Sequence, residues 1–466
     1  MQLILPLTTL ATGAIAGAVL PRDSTTAVID LSVTRGDPQH WASGFIYGIP
    51  DNEDQVAQHW YEDIGFRWGR TGGAQYGAPK RGWNWGRTEY QGRLQSTLSN
   101  YRSMRKVGAE CIIYPHDIWG TDSLNSTSYW PGDNGNWQPY EAFVKALMDD
   151  LASNNALEGL VWDIWNEPDV EVFWKRDTQR WIDLYIRTHK ILRADSRFEN
   201  VPITGPSLAW RPMSSNKWWT AWLQAIADAG TVPDQYSYHL EGDLNAADND
   251  PQYTNQSLGA LLQQHNLPAR QVSINEYAAF DEMVPSGYAW WIARLERFDW
   301  IGLLGNWQGG TTLHDLFANL LTKSRNPRDY AASDYAAAPG YHVYRYYARN
   351  MTGVRAGTTG SSDGRFDVYA TLDGEDRVRV LAGPKVRAGQ WAVQVEGLAA
   401  AGYADAAGSV EVEAWEFQGS NAFAVTGPPA YKGVKTYQYS SGSVTIPVSQ
   451  SNNYTAHAFE FAVKKG

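Results

Sequence analysis

Eight short apolar runs, each followed by a segment with helical spacing, recur in series along this chain. The runs fall at 45–49, 66–70, 110–114, 160–165, 201–205, 235–239, 272–275 and 300–305. The helical segments fall at 54–64, 95–107, 140–151, 178–194, 217–229, 257–265, 287–298 and 340–350. Strands linked through helices pair in parallel, because a crossover returns the chain to the same end of the sheet. Such a sheet is buried on both faces, which suits runs this apolar. Eight units in a row predict a closed (β/α)8 TIM barrel, whose chemistry belongs to the loops after the strands.

Beyond about Val354 the pattern becomes alternating strands separated by turns, at 365–372, 377–381, 391–395, 410–417, 434–439, 443–448 and 455–463. These predict a C-terminal β-sandwich. The segment 26–33 also has strand character and is expected to join that sandwich. The expected division is a signal peptide at 1–18, a strand segment at 19–40, the barrel at 41–352 and the sandwich at 353–466. No concentrated aromatic pattern marks the sandwich as a glycan-binding module, so it reads as structural.

The signal segment is largely apolar from Leu3 to Leu10, with small residues at Ala14, Ala16, Gly17 and Ala18. Four N-glycosylation triplets begin at Asn125, Asn255, Asn350 and Asn453. The one cysteine, Cys111, excludes an internal disulfide, and its neighbours Ile112 and Ile113 predict a buried thiol. No apolar run reaches the length of a membrane span. A secreted glycoprotein is expected. Its net charge of −11 disfavours nucleic acid and anionic membranes as partners. Twenty-two Trp and 26 Tyr tilt the expectation toward carbohydrate, since sugar rings stack on flat side chains.

The fourth run ends in Trp165-Asn166-Glu167-Pro168-Asp169, a polar turn that delivers a carboxyl at a strand's C-terminal end. The seventh ends in Asn275-Glu276-Tyr277. Strands four and seven lie across a barrel from one another, so both carboxyls face one pocket. Two carboxyls roughly 5–5.5 Å apart suit a retaining glycosidase, in which one group is protonated and the other ionised.

The run from Trp162 through Trp174 resembles the acid/base strand of clan A glycoside hydrolases, most closely family 39. The resemblance implies that Glu167 is the general acid/base and Glu276 the nucleophile. Gly69-Arg70-Thr71-Gly72-Gly73 is similar to the second-strand segment whose Arg supports the nucleophile. Asp234 through His239 is similar to the sixth-strand Asp-x-x-Ser-x-His. Asn306-Trp307 falls where the clan carries the Trp that floors the sugar subsite. The barrel-plus-sandwich layout also looks like that family's. Glu241 stands where many members carry a Tyr that bonds the nucleophile; Tyr277 and Tyr238 are the nearby replacements. The family spans exo-acting enzymes such as β-xylosidases and α-L-iduronidases, and some endo-acting ones.

Each supporting residue has a bland rival. Asn166 meets the sugar 2-hydroxyl or caps its turn. Arg70 orients Glu276 or forms a structural ion pair, with Arg67 competing for the role. His116 and His239 end strands three and six, where they meet sugar hydroxyls or serve the core. Trp307 is a stacking platform or barrel-top filling. Asp163, inside an apolar strand, is expected to be buried and paired. Among nine His, none forms a His-x-His or His-Glu-x-x-His pattern, so neither metal nor cofactor is expected. The expectation is a retaining O-glycoside hydrolase, leaning to exo action. Endo action and a non-catalytic glycan-binding barrel are the alternatives.

Overall fold

The computed structural model describes residues 24–305 and 313–464; the expected signal segment lies outside them. Strand β1 (Thr26–Thr34) belongs to a second sheet. The next eight, β2 (Gly44–Ile46), β3 (Trp68–Thr71), β4 (Glu110–Ile113), β5 (Leu160–Asp163), β6 (Ile203–Leu208), β7 (Gln235–Leu240), β8 (Gln271–Tyr277) and β9 (Ile301–Leu304), close into a barrel. Every pair in it is parallel, including β2 with β9.

The crossovers are α1 (His59–Glu62), α2 (Arg87–Lys106), α3 (Pro115–Trp119), α4 (Gln138–Ser153), α5 (Thr178–Arg193), α6 (Lys217–Ala229), α7 (Pro251–Gln264), α8 (Pro285–Phe298) and α9 (Pro339–Arg349). The helix expected at 54–64 is a single turn, α1. The side chains of Asp177, Asn216 and Asp250 cap α5, α6 and α7 by accepting backbone N–H bonds.

Alternation along the strands sorts the barrel interior into layers. Ile46, Trp68, Ile112, Val161, Ile301 and Leu303 form an apolar plug. Two residues further along, the same inward face carries Arg70 on β3 and Asp163 on β5, and Tyr114 stands just past β4. A charged layer therefore sits directly on an oily one.

The long connection after β9 holds the hairpin β10 (Leu321–Lys323) and β11 (Tyr335–Ala337). The strands after α9 are β12 (Val354–Thr359), β13 (Phe366–Leu372), β14 (Arg377–Pro384), β15 (Gly389–Glu396), β16 (Ala407–Phe417), β17 (Ala430–Ser440), β18 (Val444–Gln450) and β19 (Ala456–Ala462). With β1 they form one nine-stranded sheet, ordered β17-β16-β19-β14-β13-β12-β1-β15-β18. Strand β12 joins its two halves: Val354 and Arg355 pair with β13, and the residues from Ala356 to Thr359 pair with β1. Side chains from both halves bury into one apolar cluster, which is the sandwich core. Strand β1 runs parallel to β15, the one parallel pair in this sheet.

Helix α8 packs against both the barrel and β13, β14 and β19. Its residues from Pro285 to Glu296 are all buried, as expected of a helix covered on every side. Arg294 and Arg297 of this helix both pair with Asp367 on β13, fixing the sheet against the barrel.

Candidate active site

Glu167 follows β5 in a turn with φ of 43°, a left-handed conformation that costs a Glu about 1–3 kcal/mol. Its N–H donates to the Ser207 carbonyl (2.9 Å) and its carbonyl accepts from Val170 N–H (3.0 Å), holding it there. Glu276 reaches the same site because β8 bulges. Tyr238 pairs with Ile274 but His239 pairs with Glu276, leaving Asn275 as an extra residue. The bulge turns two successive side chains, Asn275 and Glu276, toward the barrel interior, where an unbroken strand would admit one.

Arg70 connects the parts. Its Nη1 donates to Glu276 Oε1 (2.8 Å), and its Nη2 donates to Asn166 Oδ1 (2.9 Å) and to Asp163 Oδ2. Asp163 also accepts from Ser207 Oγ (2.9 Å) and Asn275 Nδ2 (3.0 Å), so this buried carboxylate is fully satisfied. Arg67 donates instead to the Gln39 carbonyl, outside the site.

Tyr114 is the member that sequence reasoning missed. Its hydroxyl lies 2.8 Å from Glu276 Oε1 and 3.1 Å from Asn166 Oδ1, and its ring lies under the Arg70 guanidinium at 3.4 Å. The replacements expected from sequence, Tyr277 and Tyr238, do not reach Glu276. Each is one residue away from an inward-facing position and so points outward. Tyr277 bonds the Ala42 carbonyl and the Tyr344 hydroxyl, and Tyr238 packs edge-on to Trp219 of α6.

His239 Nδ1 lies 2.7 Å from Glu167 Oε1, and its Nε2 faces Arg70 Nη1 at 3.4 Å. A guanidinium can only donate, so Nε2 is the acceptor and Nδ1 carries the proton toward Glu167. Burial lowers the His239 pKa to about 4, so the ring is neutral at neutral pH. Burial raises the Glu167 carboxyl to about 7, with Arg70 opposing the rise. Glu276 is also raised by burial, and His239 and Arg70 oppose that rise. With His239 neutral, the lasting counter-charge is Arg70; the Tyr114 hydroxyl adds a second donor on Oε1 that favours the carboxylate. Burial thus raises both carboxyls, and Glu276 alone has a cation and a hydroxyl bonded to it.

A third carboxyl, Glu241, stands beside them. One ligand atom from each of Glu167, His239, Glu241 and Glu276 lies within 4.8 Å of the others. Burial, then the negative charges of Glu276 and Glu167, raise Glu241 well above the carboxylate range, so it holds its proton. This half-buried residue is the one that stands where the resembling family carries a Tyr, and it brings a carboxyl rather than a hydroxyl to the site. The four groups have the donor types a divalent cation takes. A cation there would occupy the lone pairs of Glu276 and displace the proton of Glu167.

Glu167, Glu276, Asn166, His116, Asp117, Tyr47, Tyr76 and Phe173 line a cavity of about 700 Å³. Five of the expected residues, Arg70, Asn166, Glu167, His239 and Glu276, therefore join in one bonded network. His116 lines the cavity, its ring against Tyr114 and Phe173. Burial drops its pKa to about 3, and its buried Nδ1 has no hydrogen-bond partner among the described residues. Trp307 lies outside the described residues. The tryptophan-rich composition serves mainly the core: among the described residues nine tryptophans are under 2 % exposed, packed edge-on within their helices, as Trp219 on Trp222, or against barrel residues, as Trp222 on Tyr236. The loop residue Trp130 is one of them, packed on Trp174.

No protein-family model matches the sequence, and no curated protein does either. Solved structures do. The N2152 protein of Neocallimastix frontalis superposes with a TM-score of 0.74 at 19% identity, covering 94% of this chain and 100% of that one. A glucosidase from Croceicoccus marinus gives 0.61 at 12% identity over 95% and 99% of the two chains. A monomeric beta-xylosidase from Caulobacter crescentus gives 0.57 at 13% identity over 95% and 100%. Barrel and sheet are thus shared with this group across nearly the whole chain.

Proposed function

We propose that this chain is a retaining O-glycoside hydrolase that releases terminal sugar units from a polysaccharide or its oligosaccharides. One observation carries the reading. Two carboxyls approach within 4.8 Å at the C-terminal mouth of the barrel, one held by Arg70 and Tyr114, the other raised to about 7. That approach supports the short separation of a retaining pair over the wider one of an inverting pair.

Glu276 attacks the anomeric carbon while Glu167 gives its proton to the departing oxygen, and the glycosidic C–O bond breaks. Arg70 and Tyr114 both hold Oε1, which leaves Oε2 to make the new bond. When that ester forms Glu276 loses its charge, and Arg70 remains paired through Asp163. Glu167, now a carboxylate, takes a proton from water as the water's oxygen attacks the same carbon and frees Glu276. Asn166 Oδ1 accepts from Arg70, so its Nδ2 is left to donate to the sugar 2-hydroxyl.

The cavity volume is that of a small-ligand site, which supports exo action. The fold neighbours support a glycoside substrate, since they include a glucosidase and a beta-xylosidase. Secretion is part of the reading, with Asn125, Asn255, Asn350 and Asn453 all exposed and open to glycosylation.

The test is product release from aryl glycosides and wall polysaccharides, with wild type beside Glu276→Gln. Hydrolysis that collapses in the variant, with net retention of anomeric configuration, supports the assignment. Monosaccharide as sole product supports exo action, and a ladder of oligomers refutes it. Undiminished activity in Glu276→Gln refutes the mechanism.

A further inference from the structure

Trp210 is the exception among the described tryptophans. It lies two residues past β6 with 57% of its surface exposed, and no ring or cation packs on it among the described residues. Trp85, the other exposed indole, is 39% exposed and lies beneath the Arg81 guanidinium at 4.4 Å. An indole left bare costs free energy in water, and a flexible loop would let it fold down.

This loop is pinned. Trp210 N–H donates to Asp169 Oδ2 (3.1 Å), and Ala209 N–H donates to Asp169 Oδ1 (2.9 Å). The Trp210 carbonyl accepts from the indole N–H of Trp219 (2.7 Å), itself fully buried in α6. Both backbone groups of Trp210 are therefore fixed while its side chain stays in solvent.

The anchor gives the location. Asp169 follows Glu167 by two residues, and Glu167 N–H donates to Ser207, three residues before Trp210. The turn that carries the proposed acid is thus tied to the Trp210 loop at two points. An acid that protonates the departing oxygen borders the unit that departs, so the loops beside Glu167 flank the leaving group.

We propose that Trp210 is a stacking platform for a sugar ring on the leaving-group side, so the preferred substrate is an oligosaccharide with at least one sugar beyond the scissile bond. The indole supplies a flat apolar face to the C–H side of a pyranose. This inference rests on the glycosidase reading for its site, and its test separates the two.

Hydrolysis of xylotriose and cellotriose is compared with that of their 4-nitrophenyl monoglycosides, for wild type, Trp210→Ala and Trp210→Tyr. Trp210→Ala is expected to lower the trisaccharide-to-aryl ratio of kcat/KM by roughly 10- to 100-fold, through KM. Trp210→Tyr, which keeps a flat ring, is expected to recover most of that loss. An unchanged ratio, or an equal fall on both substrates, overturns the proposal. In parallel, trisaccharide binding is measured by calorimetry on Glu276→Gln with and without Trp210→Ala. Weaker binding in the double variant supports the platform even where no hydrolysis is seen, which would count against the glycosidase reading alone. Equal binding, or none to either protein, overturns the platform.

Discussion

Replacing Glu167 by Gln should make the protein more stable above neutral pH while removing its acid. The folded state raises this carboxyl from its ordinary 4.5 to about 7. At 1.36 kcal/mol per pH unit, that displacement is worth about 3 kcal/mol. The sign follows from linkage. A raised carboxyl means the native state binds the proton more tightly than the unfolded chain does. Its contribution is therefore full below pH 4.5 and is lost as pH climbs to about 7. The side chain is 15% exposed, so solvent screens little of this. Gln cannot ionise, yet its carbonyl still accepts from His239 Nδ1–H. Wild type and Glu167→Gln should thus match near pH 4.5, and the variant should be more stable by about 3 kcal/mol at pH 8. Denaturant titrations at pH 4.5, 6 and 8 measure this directly. The same carboxyl sets an alkaline limb near pH 7 in the wild-type rate profile, and its loss should cut turnover of poor leaving groups by about 10²–10⁴-fold. A stability difference independent of pH would refute the reasoning.

Arg70→Met leaves Asp163 and Glu276 without a cation in the barrel and should cost about 3–5 kcal/mol in denaturant titrations. Tyr114→Phe removes a hydroxyl shared by Glu276 and Asn166; kcat/KM should fall about 10- to 100-fold, with the circular-dichroism melt little changed. Glu241→Lys sets a cation beside Glu167, so the alkaline limb of the rate profile should move below pH 7; an unmoved limb would place Glu241 outside the site's field. Zinc should inhibit competitively by binding the carboxyls of Glu167, Glu241 and Glu276, and a chelator alone should leave activity intact, as initial rates would show.

The barrel was readable because its signal is repetitive. The helix expected at 217–229 matches α6, bounded by the Asn216 cap and by Gly230 in the left-handed conformation. Irregular parts were not readable. Helix α2 begins at Arg87, earlier than the expected 95, since buried Glu89, Arg93 and Ser96 blur its apolar stripe. The strand β12 and the β10–β11 hairpin carry too few apolar residues in alternation to stand out. In the site, Glu167, Arg70 and Asn166 follow from strand ends, and Tyr114 follows from the same rule applied to β4. The bulge that turns Glu276 inward arises from pairing between β7 and β8, which no local pattern encodes.

Strand β1 also bears on how the chain is made. It is made before the barrel strands, yet its neighbours in the sheet, β12 and β15, are made after them. The whole barrel can form while this apolar ribbon waits with both edges unpaired, a state that invites pairing with other chains. Its arrival then completes a sheet whose two halves share one apolar core. A strand made before the barrel thus takes its place only after the last barrel strand has been made.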